Sequence, residues 1–275
     1  MRCLVVADLH YSLPQFDWLL SAAPQFDLVI FAGDALDIGS AVDFRAQIVV
    51  VKKYLARMAE RTRVILCSGN HDLDGRNTEG EKYARWIGEV RELGIACDGD
   101  DLMIGDALFT VCPWWDGPLL RQRIDAQLGA AAARCAKQWI WVHHAPPANS
   151  PTSWGGKRYF GDVELVQWIE RHRPMMVVSG HVHQSPFIHD GSWFDRVGST
   201  WAFNTGLQPG RPPTHIVIEM DEGRAYWLAA GEAQWINLNA PVQRPALPVA
   251  DPPDWLTSLD RIPDPTLARP PAAAG

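Results

Sequence analysis

Carboxylates, imidazoles and one carboxamide recur along the chain in short clusters, each standing where an apolar run ends. They are Asp8-Leu9-His10, Gly33-Asp34, Gly69-Asn70-His71-Asp72, His143-His144-Ala145-Pro146-Pro147 and Gly180-His181-Val182-His183. These are the side chains that hold first-row metal ions. In an extended segment residues i and i+2 project to one side, so Asp8 with His10, and His181 with His183, can each offer two donors to one site. Glycines directly before Asp34, Asn70 and His181 allow the sharp turns and close approach such a site needs. One donor per position gives Asp8, His10, Asp34, Asn70, His144, His181 and His183, with His143 the alternative to its neighbour. That set is too large for one tetrahedral zinc. It suits two divalent or trivalent ions sharing a bridging carboxylate, for which Asp34, alone on its short turn, is the candidate.

Clusters so far apart in sequence meet only if the segments before them lie side by side. Strands are expected at Cys3 to Ala7, Leu28 to Ala32, Val64 to Cys67, Ala107 to Cys112, Trp139 to Val142 and Met175 to Ser179. Helices are expected between them at Ala41 to Ala59, Glu79 to Leu93, Leu119 to Lys137 and Asp162 to Arg171. Apolar strands alternating with helices predict an α/β fold with a parallel or mixed sheet, whose strand carboxyl ends form the ligand crevice. Beyond Gly180 the pattern changes to short strands at Pro186 to His189, Ser192 to Val197, Thr200 to Asn204, His215 to Met220 and Arg224 to Leu228, with turns at Asp190-Gly191 and Glu222-Gly223. No linker divides the halves, so residues 1–239 are expected to form one domain with two sheets. Residues 240–275 carry nine prolines and are expected to be an extended, flexible tail.

Composition narrows the function classes. The 275 residues carry 25 Lys+Arg against 32 Asp+Glu, a net charge of -7 that disfavours a nucleic-acid or anionic-membrane binder working through its whole surface. No apolar run is long enough to span a bilayer and no signal peptide is visible, so a cytoplasmic protein is expected. The five cysteines lack CxxC spacing and read as reduced, buried thiols.

The ordered series DLH, GD, GNHD, HHAPP and GHVH, from Asp8 to His183, resembles the calcineurin-like metallophosphoesterases. The resemblance implies a four-layer αββα sandwich of two mixed sheets flanked by helices. It also implies a metal-dependent phosphoesterase: one ion on Asp8, His10 and His183, a second on Asn70, His144 and His181, and Asp34 bridging. The family spacing His-x-Pro-Pro selects His144 over His143. His71 is then free of the metals and placed over the substrate, with Asp72 holding its ring. Manganese, iron or zinc would acidify the attacking water, and His71 would stabilise or protonate the leaving oxygen, in a phosphodiesterase or phosphomonoesterase (phosphatase) reaction. A catalytically silent metal-binding scaffold and a nuclease of the same family are the alternatives.

The expected substrate is a small phosphorylated molecule. Arg76, Lys157 and Arg158 are candidates for clamping its phosphate. The 13 Trp include Trp114, Trp115 and Trp154 near the clusters, candidate cleft walls for a nucleobase or other flat group. His172, His189 and His215 are expected to be structural or exposed, and no membrane or nucleic-acid partner is expected.

Overall fold

Short β-branched and aromatic runs, buried on both faces, build the centre of the molecule. The computed structural model describes residues 1–134, 137–259 and 262. The strands are β1 (Arg2–Val6), β2 (Leu28–Ala32), β3 (Arg63–Cys67), β4 (Gly75–Arg76), β5 (Lys82–Tyr83), β6 (Ala96–Cys97), β7 (Asp101–Ile104), β8 (Ala107–Val111), β9 (Gln138–Val142), β10 (Met176–Ser179), β11 (Phe194–Val197), β12 (Thr200–Asn204), β13 (His215–Glu219), β14 (Arg224–Ala229), β15 (Glu232–Asn237) and β16 (Leu247–Pro248). The helices are α1 (Leu13–Ala22), α2 (Phe44–Ala59), α3 (Arg85–Glu89), α4 (Pro118–Ala132), α5 (Val163–His172) and α6 (Asp254–Leu259).

An eight-stranded sheet has the order β16-β15-β14-β13-β1-β2-β3-β6 and a six-stranded sheet the order β11-β12-β10-β9-β8-β7. β1, β2, β3 and β6 are parallel, as are β8, β9, β10 and β12. The later strands do not form a half of their own. β13 pairs antiparallel with β1, and β11 pairs antiparallel with β12, so they extend the two existing sheets.

Alternation along each strand separates the layers. Cys3 and Val5 of β1 and Leu28 and Ile30 of β2 meet Ile140 and Val142 of β9 between the sheets. Leu4, Val6, Val29 and Phe31 face the other way, onto Phe16 and Leu19 of α1 and Val51 and Leu55 of α2. Trp139 and Trp141 of β9 pack with Ile124 and Leu128 of α4 and Trp168 of α5. The result is the expected stack of two mixed sheets with helices outside.

Three local expectations are corrected. Glu79 to Leu93 is not one helix: the β4–β5 hairpin takes its start, and α3 and a 3-10 turn at Val90–Leu93 follow. Asn77 closes the loop of that hairpin, its Oδ1 accepting from Glu79 N and Glu81 N (3.1 and 2.9 Å). Pro186 to His189 is not a strand, since Ser185–Phe187 is a 3-10 turn. The Pro-rich segment from residue 240 does not simply trail away. β16 pairs with β15, and α6 buries Leu256 and Leu259 in the helix-side core, because apolar residues stand between the prolines. Residues 260, 261 and 263–275 of the expected tail, and Cys135, lie outside the described residues. Cys3, Cys67, Cys97 and Cys112 are buried and unpaired. Among the described residues no helix is long and apolar enough to cross a membrane.

Candidate metal centre

The two sheets contribute to the site from opposite sides. Asp8, Asp34 and Asn70 follow β1, β2 and β3 of the larger sheet, while His144 follows β9 and His181 and His183 follow β10 of the smaller one. The parallel register brings these strand ends level. The expectation of an extended i, i+2 arrangement is corrected, because Asp8, His10, Asp34 and His181 have left-handed backbones, with φ of 56°, 43°, 54° and 70°. Such conformations cost of order 1 kcal/mol each in non-glycine residues and persist only where surroundings enforce them. Here Asp8 N donates to Gly33 O (3.0 Å), His10 N to Asp34 O (3.1 Å) and Tyr11 N to Ala35 O (3.0 Å), locking the first two loops together.

Donor atoms converge in three overlapping groups, Asp8 with His10 and His183, His10 with Asp34 and His71, and Asp34 with His144 and His181. Nε2 of His10 and Nε2 of His183 lie 3.1 Å apart. The Nδ1 of His144 meets Ala32 O at 2.6 Å, which puts a proton there and leaves Nε2 facing Asp34 Oδ2 at 3.1 Å. That Nε2 is buried with no hydrogen-bond partner. Asn70 Oδ1 lies 2.9 Å from His181 Nδ1. His10 Nε2 set against His183 Nε2, and a buried His144 Nε2 with no hydrogen-bond partner, are donor atoms that cations placed among them would satisfy. The seven residues therefore fit metal ions. His143 points elsewhere, its Nε2 lying 3.0 Å from Asp162 Oδ2, so the adjacent pair divides as the His-x-Pro-Pro spacing implies.

The carboxylates are aimed by backbone from other loops. Asp8 accepts from His181 N at 2.9 and 3.1 Å, and Asp34 Oδ1 accepts from His71 N at 2.8 Å. Glycines leave the room: a Cβ on Gly69 would stand 2.1 Å from Asp34 Oδ1, one on Gly180 2.3 Å from Asp8 Oδ2, and one on Gly33 2.3 Å from His144 Nδ1. Burial opposes ionisation of Asp34, but His144 outweighs it and holds the carboxyl below its ordinary range. Burial, reinforced by His144, pushes His181 down to about 4, so its ring stays neutral and keeps a lone pair for a metal.

The expected role of Asp72 is corrected. Its carboxylate is fully buried and accepts from Asp34 N (2.9 Å), Gly69 N (2.9 Å) and Leu36 N (3.0 Å), so it braces the Asp34 loop and has no contact with the His71 ring. Nδ1 of His71 accepts instead from Ile38 N (3.3 Å), with Asp37 Oδ1 at 3.4 Å. Gln47 of α2 fixes that loop, accepting from Asp37 N (2.9 Å) and donating to Asp37 O and Val42 O (3.0 and 2.9 Å). Asp37 is the residue that sequence reasoning missed. Its signal was the second acid of the Gly-Asp-Ala-Leu-Asp run. The His71 ring packs edge-on against His10, 4.5 Å between centroids, at the border of the donor groups.

A cavity of about 390 Å³ adjoins the donors at His181, walled by Trp114, Trp115 and Phe160. Arg76, Lys157 and Arg158 do not line it. Arg76 donates to Gly80 O (2.6 Å), and the Arg158 guanidinium lies over the Phe160 ring at 4.6 Å. Trp154 is not a wall either, since its indole donates to His189 O (3.0 Å) and its ring packs on Tyr159.

Residues 1–185 match the family model for calcineurin-like phosphoesterases, and the chain belongs to that family, as a metal-dependent phosphoesterase. Among solved structures it is similar to TT1561 of Thermus thermophilus, with 14% identity, a TM-score of 0.56, and coverage of 86% of this chain and 98% of that one. It is also similar to the purple acid phosphatase PPD1 from yellow lupin seeds, with 12% identity, a TM-score of 0.53, and coverage of 90% of this chain and 53% of that one. At these identities the likeness is one of fold. No curated protein matches the chain.

Proposed function

We propose that the protein hydrolyses small phosphoesters with two metal ions, one on Asp8, His10 and His183, the other on Asn70, His144 and His181, with Asp34 between them. The observation that carries this reading is that buried Asp8 and Asp34 stand in linked donor groups, Asp8 with His10 and His183 and Asp34 with His144 and His181, which together hold more donors than one tetrahedral ion can use. Manganese, iron or zinc suit these ligands, and when bound they supply positive charge to the phosphoryl oxygens and acidify the attacking water. The protein's own residues do the rest. Asp8 and Asp34 are aimed into the site by the backbone N–H groups of His181 and His71. His71 accepts at Nδ1 from Ile38 N, which in the neutral ring leaves its proton on Nε2. Through that N–H the ring hydrogen-bonds the departing oxygen or a phosphoryl oxygen as charge develops there. Asp72 acts one step back by holding the Asp34 loop.

The test is metal analysis of purified protein together with turnover of bis(p-nitrophenyl) phosphate and p-nitrophenyl phosphate in added manganese. Two ions per chain, and loss of about 10²-fold or more in kcat in Asp34→Asn, are expected. Full activity in Asp34→Asn would overturn the shared-carboxylate arrangement. Two bound ions with no turnover of either ester would make the protein a metal-holding scaffold.

A further inference from the structure

We infer that the cavity beside the donors is a subsite for a flat aromatic group on the substrate, so that the preferred phosphoesters are those of aryl or nucleoside alcohols. Turnover rests on the metal reading above, but the subsite stands on its own geometry. Its volume, about 390 Å³, falls within the usual range for small-molecule pockets, near the small end. Trp114, Trp115 and Phe160 give it faces suited to stacking, and His181 is common to the cavity and to the donor group of Asp34 and His144. The Trp114 ring packs against both imidazoles, 5.7 Å from His144 and 5.2 Å from His181 between centroids. An aromatic group in the cavity therefore lies next to a phosphate held at the metals.

The charges around the cavity say what does not belong there. Its ionisable lining residues are Asp162, Glu164, His143 and His181, with no Lys or Arg, so a second phosphate finds no cation inside. Glu164 is paired to Arg121 (2.7 Å), and Asp162 accepts from Trp115 Nε1 (2.8 Å) while facing His143 Nε2 (3.0 Å). The walls are held before any ligand arrives: Asp162 fixes the Trp115 ring, and Trp114 N donates to Ser68 Oγ at 2.8 Å. A pre-set aromatic slot with no cationic lining selects flat, uncharged groups and gains affinity from stacking. Phe160, 41% exposed, closes the outer side, and Arg158 over its ring steadies that face.

The experiment uses the full chain and two variants, Phe160→Ala and Val163→Trp. Val163 is 61% exposed on the cavity wall, so a larger side chain there narrows the slot without a core change. KM and kcat are measured in manganese for phenyl phosphate, adenosine monophosphate and glycerol phosphate, with metal content determined for each protein. KM is expected to be about tenfold lower for the aromatic esters than for glycerol phosphate. Each variant should raise the aromatic KM about fivefold or more and leave glycerol phosphate and metal content unchanged. Preference for phenyl over adenosine esters, or the reverse, identifies the source of the ring. Equal KM for all three substrates, or variants that alter all three alike, would overturn the subsite. If no ester is turned over, binding of adenosine and phenol read by tryptophan fluorescence decides. Saturable quenching weakened in both variants upholds the cavity even though the metal chemistry has failed, and no saturable quenching overturns it.

Discussion

At Gly69 one methyl group separates an intact site from a displaced one. A Cβ there would lie 2.1 Å from Asp34 Oδ1 and 2.6 Å from the Asp34 backbone nitrogen, so Gly69→Ala must push the carboxylate away. We expect this variant to hold metal at least about tenfold more weakly while remaining folded, as read by metal titration and circular dichroism. Asp37→Ala is expected to behave differently. It should leave metal content unchanged and lower kcat about tenfold, because Asp37 Oδ1 accepts from Gly39 N (2.8 Å) and so holds the turn whose Ile38 N donates to His71 Nδ1. Loss of metal in Asp37→Ala would show that His71 is itself a ligand. The candidate cluster was legible in the sequence because its residues stand at the ends of apolar runs, and the structure brings Asp8, His10, Asp34, His144, His181 and His183 into shared donor groups. What was not legible was how the backbone delivers them, since nothing in Asp-Leu-His announces left-handed φ at Asp8 and His10. Nor does Gly-Asn-His-Asp disclose that its last acid turns inward, to three backbone N–H groups, and leaves the His71 ring to Ile38 N.

Among the elements, α5 shows one carboxylate serving three structures. Asp162 caps the helix, accepting from Glu164 N (2.8 Å) and Leu165 N (3.2 Å), and also holds Trp115 and faces His143. Asp162→Ala is expected to cost roughly 3 kcal/mol in urea unfolding, from a lost cap of about 1 kcal/mol and the buried hydrogen bonds left open. His215 on β13 makes stability depend on pH. Its ring packs on Trp18, its Nδ1 lies 2.8 Å from Pro213 O, and burial pushes its pKa from 6.5 down to about 4. The folded state therefore declines a proton that the unfolded chain accepts. The stability this ring allows is full above 6.5 and falls by up to roughly 3 kcal/mol as pH drops toward 4. In His215→Phe the difference between unfolding midpoints at pH 7 and pH 4.5 should shrink, and an unchanged difference would assign the dependence to other groups. The strands of the parallel core, apart from the two-residue β6, were readable from their apolar runs. α1 went unread because it is only ten residues long and follows a polar cluster directly, and β15 because Glu232 and Gln234 disguise a strand that completes the meander.

For the whole molecule, the docked segment beyond residue 240 adds to stability. Proline count alone argued for a tail, yet Leu256 and Leu259 are 5% and 4% exposed against the helix-side core. Replacing both with Ala should cost about 2 kcal/mol for each, measured by urea unfolding. The metals should also stabilise the whole, since their donors come from both sheets. Chelation is expected to lower Tm, and added manganese to raise it progressively with concentration, as mass action requires. The arrangement of β1 has a consequence for synthesis. It lies between β2, which follows it closely in the chain, and β13, whose Glu219 pairs with Arg2. While a ribosome is making the chain, one edge of β1 must wait, open, until every strand of the smaller sheet has been translated. The strand that leads into Asp8 is thus enclosed only after the neighbouring sheet has been made.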